Sequence, residues 1–360
     1  MSLIIDCDPG NGIPGANVDD ALALCLAWSA PQVEISSVWT VFGNVTAQEG
    51  ASAAQRIAKS LNVDTPIIKG CDRPLDSHIS PVEWRKKLDA PRHDAVGRKL
   101  WENTDCFKTG GTSAHEETVF SQYEQYEPPE QTALRLAKDI LRNNSKRSIT
   151  IAALGPLTNI AALLRFQPDA AKRLKEILIM GGCLGYGDLV DTNFAIDPLA
   201  ASIVLRSGIK VTIVPIDVTR TTHMSSDYWL NTMQWACKHP QNKDRAMAID
   251  SWLRPWIEYS NRTRPVDGMW VHDMVVIAHL LCSDITHVES GFFKLSPHPR
   301  GKLIRVSRDD HASNQQLDSS TKLKDEPFKA QIMTSVDNDR LLSFWRRTVF
   351  RCDIPTVQKM

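Results

Sequence analysis

The sequence predicts an α/β fold: a mostly parallel central sheet flanked by helices, with an irregular insertion and a helical flank. Three observations lead there. Short apolar runs alternate with helix-length amphipathic segments through residues 3–70, the same rhythm returns over 130–217, and the stretch between them is broken by charges, aromatics and Gly/Pro pairs. Strands separated by amphipathic helical segments build parallel βαβ units, with helices covering the sheet faces.

Taken in order, LIID (3–6) reads as a buried strand and DDALALCLAWSA (19–30) as a helix. VEISSVWTVFG (33–43) is β-rich, TAQEGASAAQRIAKSLNV (46–63) has helical spacing, and TPIIKG (65–70) is a short strand. Residues 72–130 carry Gly110-Gly111 and Pro128-Pro129, and irregular stretches of that length are usually functional or mobile. EQTALRLAKDILRNN (130–144) restores the helix, SITIAALG (148–155) the strand, and a further helix starts at Leu157. KEILIMGG (175–182) and VTIVPID (211–217) are strands, and residues 225–262 form a Trp-rich helical segment. The tail from about 292 is β-like at KLIRV, crosses a polar stretch and ends in the helix DNDRLLSFWRRTVF. No internal repeat or low-complexity tract appears, so 1–360 is expected to be a single domain.

Lys plus Arg and Asp plus Glu are both 42, a balance that argues against nucleic-acid or anionic-membrane partners. No apolar run reaches the ~18 residues of a membrane span, and no signal-peptide pattern opens the chain. The eight cysteines are scattered without a C-x-x-C pair, and several sit in apolar segments. Reduced core thiols of this kind suggest an intracellular, cytoplasmic setting. The terminal Gln-Lys-Met is only a distant relative of a peroxisomal address.

The opening, IIDCDPGNGIPGANVDDALAL, puts Asp6 and Asp8 at a strand end and Asp19 and Asp20 at a helix start. In doubly wound sheets this is where ligands bind. A phosphate loop would use glycines and a Lys there, but this loop has no Lys and four carboxylates, which suits a hard divalent cation. An EF-hand is excluded, because the twelfth position counted from Asp6 is Asn17. A plainer reading has Asp19 capping the helix, Asp20 offsetting its dipole, and the other two solvated. Three further stretches collect polar groups at strand-to-helix junctions: LGPLTNIAALL (154–164), MGGCLGYGDLVDTNFAIDP (180–198) and WVHDMVVIAHLL (270–281).

With these motifs in family order, the chain resembles the nucleoside hydrolases over roughly residues 3–282, carried by DCDPG…VDDALAL, VFGN, LGPLTNIAALL, MGG…DTNFAIDP and VHD. The resemblance implies a Ca²⁺-dependent, homo-oligomeric (dimeric or tetrameric) enzyme. It would cleave the N-glycosidic bond of ribonucleosides, small-molecule substrates, to give ribose and free base. It implies Asp8 as calcium ligand and general base, with Asp20, the Leu154 carbonyl and Asp273 completing the ion site. Asp19, Asn193 and Asp273 would grip the ribose hydroxyls, with Asp6 supporting the cluster. Asn44, Met180 and Asp191 would lie against the substrate, and Asp188 is an alternative sugar contact. Asp191 stands where the family commonly has Glu, and eight residues (11–18) stand in the first loop where one is usual. That insertion is either a cover over the sugar or a surface bulge. SPVEWRKKLDA (80–90) matches a stretch of purine-preferring members in which a Trp stacks on the base, which makes Trp84 the counterpart. His272 stands where other members place a general acid.

Together these imply a preference for purine ribonucleosides, inosine and guanosine foremost; pyrimidine or broad inosine-uridine specificity is the alternative. The chemistry is coherent. An oxocarbenium-like transition state needs an activated water, here from Asp8, and a protonated leaving purine, here from His272. For Trp84 the plain alternative is local surface packing, and for His272 a helix cap. Two other classes remain: a haloacid-dehalogenase-type phosphatase, suggested by D-x-D after the first strand but lacking Thr or Val at Gly10, and a non-catalytic nucleoside binder.

Overall fold

A computed structural model describes residues 2–75, 99–101, 127–142, 148–185, 191–296, 301–307 and 327–351. Its frame is one nine-stranded sheet. The strands are β1 (Ser2–Cys7), β2 (Glu34–Thr40), β3 (Ile67–Lys69), β4 (Ile149–Ala153), β5 (Leu174–Met180), β6 (Lys210–Val214), β7 (Thr286–Leu295), β8 (Leu303–Val306) and β9 (Phe328–Val336). The principal helices are α1 (Asp19–Ser29), α2 (Ala47–Ser60), α3 (Pro129–Arg142), α4 (Thr158–Phe166), α5 (Thr192–Ile196), α6 (Pro198–Leu205), α7 (Ser226–Cys237), α8 (Pro240–Thr263), α9 (His272–Leu281) and α10 (Asn338–Phe350).

The strands run in the order β3-β2-β1-β4-β5-β6-β9-β7-β8, parallel as far as β9 and antiparallel through β7 and β8. The chain leaves β1 toward one edge through β2 and β3, then restarts on its other side with β4. The topological switch therefore falls between β1 and β4, where Asp6 lies in register with Ala153. A crevice at the carboxyl ends of those strands is the expected ligand position.

Alternation along β1 sends Leu3, Ile5 and Cys7 to one face, with α1, α2 and α7 to α10, and Ile4 to the other, with α3, α4 and α6. Burial on both faces explains the continuous apolar runs of these strands. All of α1 but Trp28 is buried, as expected of a helix apolar all round and packed against α9 and α10. A capping box starts α2: Thr46 accepts from the Glu49 N–H, and the Glu49 carboxylate accepts from the Thr46 N–H. Such caps contribute about 1 kcal/mol.

Two features differ from the sequence expectation. The Trp-rich segment is two helices, because Pro240 begins α8 after a break at His239. The tail is also richer in strands: besides KLIRV in β8, β7 and β9 pair antiparallel and extend the sheet.

The inserted loop is no exposed bulge. Ile13 and Ala16 pack on Val45, and the Asn11 amide donates to the Ala53 carbonyl of α2. Arg56, also on α2, donates to the Asn11 carbonyl. The glycines at 12 and 15 hold φ of 81° and 72°, values few other residues adopt, and let the loop turn back to the start of α1.

Candidate active site

The end of β1 carries Asp6 and Asp8, the end of β4 leads into Leu154, and α1 and α9 present Asp19, Asp20, His272 and Asp273 from their first turns. All five aspartates are buried. Oxygens of Asp19, Asp20 and Asp273 lie within 4.8 Å of one another. Asp8 is joined to this trio through its backbone N–H, which donates to Asp20 Oδ1 at 3.0 Å. Its own carboxylate accepts from the Asn44 N–H, and it is gripped between Gly43 and Gly155. A Cβ at either glycine would meet an Asp8 oxygen, at 2.0 and 2.8 Å, so only glycine allows this approach. The Asp273 N–H donates to Asp19 Oδ2 at 3.3 Å.

The plain capping reading of Asp19 does not hold, whereas Asp20, in the first turn, does stand where a carboxylate offsets the helix dipole. Val18 occupies the N-cap of α1, without a side-chain cap, and both aspartates sit inside the first turn. Asp19 Oδ1 and Asp20 Oδ2 are buried without a hydrogen-bond donor. Oxygens left so are costly unless a cation completes them. Cys7 does not alter the character of the donor set, since its thiol points at the Trp39 carbonyl and burial keeps it protonated. An all-oxygen, carboxylate-rich set fits a hard divalent cation.

Burial dominates the titration of the cluster. It pushes Asp19 and Asp20 up to about 6 and Asp6 to about 8, while Asp8 and Asp273 are raised well above the usual carboxylate range by burial and by their acidic neighbours. The sign follows from linkage. Above about pH 4 the folded, metal-free protein holds more protons than the unfolded chain, so its stability falls as pH rises. Chelator-treated protein should therefore lose Tm between pH 5 and 8, and added Ca²⁺ should raise Tm more at pH 8 than at pH 5, because binding expels protons. A Tm profile that rises or stays flat over that interval would show that the carboxylates are not held together without the ion.

The structure brings most of the sequence-predicted residues to this crevice. Asn193, on α5, donates to the Leu154 carbonyl at 2.6 Å and to the Met180 carbonyl at 3.1 Å, linking the ends of β4 and β5. Asn44 meets Asp8 through its backbone. Asp191 caps α5, accepting from the Phe194 N–H at 3.0 Å, and burial raises it to about 6. Trp84 and Asp188 lie outside the described residues.

His272 is no cap either, since Val271 holds that position. Its Nδ1 lies 2.7 Å from the Thr219 hydroxyl, which leaves Nε2 for another partner. Burial lowers its pKa, Asp19 acts to raise it, and Arg220 and Arg264 lower it further. Four residues that the sequence reading passed over complete the surroundings. Asn159 donates to Asp6 Oδ1 at 2.7 Å and accepts from the Cys71 N–H, fixing the carboxyl below the cluster. Thr219 orients His272, Arg220 lies 4.8 Å over the Trp270 ring, and Arg264 lies 4.5 Å over Trp256. Asn159 could have been found as the polar residue inside the apolar LTNIAALL; the other three belong to no motif.

Comparison with known proteins identifies the family and the fold. The family model described as inosine-uridine preferring nucleoside hydrolase matches residues 3–343. A non-specific ribonucleoside hydrolase RihC of Salmonella heidelberg is 28% identical over 355 residues, covering 98% of both chains. The RihC of Salmonella typhi is 29% identical over 295 residues, 81% of this chain and 82% of that one. Among solved structures, an inosine-guanosine nucleoside hydrolase superposes with a TM-score of 0.68 at 19% identity, covering 97% of this chain and 98% of the other. A purine-preferring ribonucleoside hydrolase from Gardnerella vaginalis gives 0.66 at 21% identity, covering 98% of each. The chain belongs to the nucleoside hydrolase family and is a hydrolase of the N-glycosidic bond of ribonucleosides.

Proposed function

We propose that this enzyme carries out Ca²⁺-dependent hydrolysis of purine ribonucleosides, inosine and guanosine foremost, releasing ribose and the free base. The observation that carries the ion is the buried carboxylate trio with two undonated oxygens at the switch point of the sheet. Asp20, Asp273, Asp8 and the Leu154 carbonyl are the proposed ligands. Asn193 already holds that carbonyl, which supports its proposed place between ion and sugar. Bound there, a calcium ion supplies Lewis acidity and orients the ribose diol.

The protein groups then divide the work. Asp8, fixed between two glycines and the Asn44 N–H, takes the proton of the attacking water. The Asp19 carboxylate and the Asn193 amide oxygen accept from the ribose hydroxyls, since both Asn193 N–H groups are held by the Leu154 and Met180 carbonyls. His272, held by Thr219 at Nδ1, gives its Nε2 proton to the leaving base. Asn44, Met180, Trp84 and Asp191 are proposed to bound the substrate, Asp191 while it also caps α5. The single sheet spanning residues 2–336 supports reading the chain as one catalytic domain. Among the described residues no helix is long and apolar enough to cross a membrane. The buried free thiols of Cys7, Cys25, Cys71 and Cys183 support a reducing, cytoplasmic setting. We keep a homo-oligomeric assembly as part of the proposal.

A second reading has its own support: the RihC relatives are named non-specific, which favours broad use of purine and pyrimidine nucleosides. A panel of ribonucleosides scored for released ribose, with metal content measured in parallel, separates the two. About one divalent ion per chain is expected, with inosine and guanosine ahead of uridine and cytidine. 2′-Deoxyinosine should fall at least ~10²-fold below inosine in kcat/KM, because a site built to pair with hydroxyls rejects an analogue lacking one. Comparable turnover of all four bases would establish the broad reading, and full activity without metal would remove the ion from the mechanism.

A further inference from the structure

The first loop, residues 11–18, begins three residues after Asp8 and closes on itself at its base. The Gly10 N–H donates to the Asn17 carbonyl at 3.0 Å, and the Gly10 carbonyl accepts from the Ile13 N–H at 2.9 Å. A Cβ on Gly10 would lie 2.5 Å from both the Ala16 methyl and the Asn17 carbonyl oxygen, so the loop can close only over glycine. Ile13 and Ala16 join neither of the two large cores. They are 8% and 7% exposed and pack on Val45, which is 1% exposed. Gly50 of α2 also lies against Val45, where a Cβ would stand 3.6 Å from its methyl. Val45 in turn closes the backbone that holds Asp8. Its carbonyl accepts from the Gly43 N–H at 2.9 Å and draws the chain tightly around Asn44. That fold presents the Asn44 N–H to Asp8 Oδ2, with Oδ1 on the Gly155 side. One hydrogen bond hardly offsets the entropy of ordering the residues it spans, so the packing on Val45 is what keeps this segment in place.

We propose that Ile13 is a positioning residue: the enlarged first loop is a buttress that presses on Val45 and holds the Asn44 N–H against Asp8, and it is not a cover over the sugar. This role rests on the reading of Asp8 as general base and deepens it. A carboxylate accepts a proton efficiently only when its free oxygen is aimed at the water. A donor fixed on one oxygen sets the direction of the other and stops the carboxylate from rotating. Loss of that restraint misplaces the group without removing it. The restraint travels through side-chain contacts because close-packed groups have little room to yield. Asn11 and Arg56 anchor the far side of the loop on α2, so the buttress has a rigid element behind it. Water attack is common to every substrate, so the loop should act on turnover whatever the leaving group.

The test compares the wild type with Ile13→Ala, Ile13→Val and Leu205→Ala, the last a buried truncation on the opposite face of the sheet. Kinetics on inosine and p-nitrophenyl riboside are paired with hydrogen exchange at the Asn44 amide of chelator-treated protein, and thermal melts confirm the folds. Ile13→Ala should lower kcat by about 10–10²-fold on both substrates, the range of a displaced catalytic group, with KM moving less than kcat. Its Asn44 amide should exchange at least ~10-fold faster, because the segment then opens without breaking the packing on Val45. Ile13→Val, which keeps most of the contact, should recover most of the kcat. Leu205→Ala should lose Tm yet keep both kcat and the Asn44 exchange rate. Wild-type kcat in Ile13→Ala, a loss matched by Leu205→Ala, or unchanged Asn44 exchange would each overturn the role. A loss carried by KM would make the loop a cover for the substrate, and a loss on inosine alone would tie it to the leaving base; either overturns the buttress. The exchange arm needs no turnover, so a wild type that releases no ribose would remove the base reading, while faster Asn44 exchange in Ile13→Ala would still establish the mechanical link. Should Ile13→Ala fail to fold, Ile13→Val decides, with a smaller shift of kcat and exchange in the same direction supporting the role and none overturning it.

Discussion

Asp8→Asn is expected to fold normally and to lose at least ~10²-fold in kcat, the usual contribution of a general base. The substitution is isosteric, which matters at this position. Asp8 is packed between Gly43 and Gly155 so closely that a larger group could not replace it. An asparagine can keep its oxygen toward the Asn44 N–H and turn its amide nitrogen to the other side. What it cannot do is accept a proton from water. Removing one of several mutually repelling buried carboxylates should also raise the Tm of the chelator-treated protein, since Asp20 and Asp19 both act on Asp8. Metal content must be measured on the same preparation. Retained metal with depressed kcat identifies the base; lost metal would identify Asp8 as chiefly a ligand. A near-normal kcat would transfer the base role to another carboxylate, with Asp19 the first candidate because two of its neighbours in the trio already share its environment.

The parts of this design legible in the sequence are those in which a local pattern coincides with a tertiary role. β1, α1 and the acids between them could be read because a parallel strand buried on both faces gives an unbroken apolar run, and buried polar residues beside it stand out. The same holds for β4, β5 and the start of α9. β7 and β9 escaped because β7 alternates exposed and half-buried positions over much of its length, so THVESG carries no strong apolar signal. Their pairing joins residues far apart in the chain, which no short window reports. The break inside the Trp-rich segment was available in Pro240, which suits the first position of a helix, although Pro255 lies inside the same helix and gives no such break. Thr219, Arg220 and Arg264 were illegible for another reason. Each lies at or just beyond a helix end where polar residues are ordinary, and each gains its role only when the chain brings it against His272 or a Trp ring. The eight-residue loop was legible as an insertion, but its anchoring on α2 depends on Asn11, Ala53 and Arg56 meeting in space.

His272→Ala separates leaving-group chemistry from everything else in the site. Purines leave poorly as anions and need a proton, whereas p-nitrophenolate is a stable leaving group and needs none. If His272 is the acid, the variant should lose ~10²–10⁴-fold in kcat for inosine and guanosine, as for a missing general acid, and far less for p-nitrophenyl riboside. The structure adds a pH expectation with a definite sign. Burial and the two arginines hold the His272 pKa below its ordinary value, outweighing the pull of Asp19. The proton-donating form is therefore scarce in the free enzyme at neutral pH, and inosine turnover by the wild type should rise as pH falls through the acid side of neutrality, until carboxylate protonation ends it. The p-nitrophenyl substrate should lack that rise, and the variant should lack it on both substrates. Thr219→Val offers an independent check, since it removes the only hydrogen bond to Nδ1 found among the described residues while leaving the imidazole in place. It should lower inosine turnover by less than His272→Ala does, with the p-nitrophenyl substrate again less affected. Equal losses on inosine and p-nitrophenyl riboside would mean that His272 shapes the pocket or steadies Asp273, its neighbour in the first turn of α9, and that the proton reaches the base by another route.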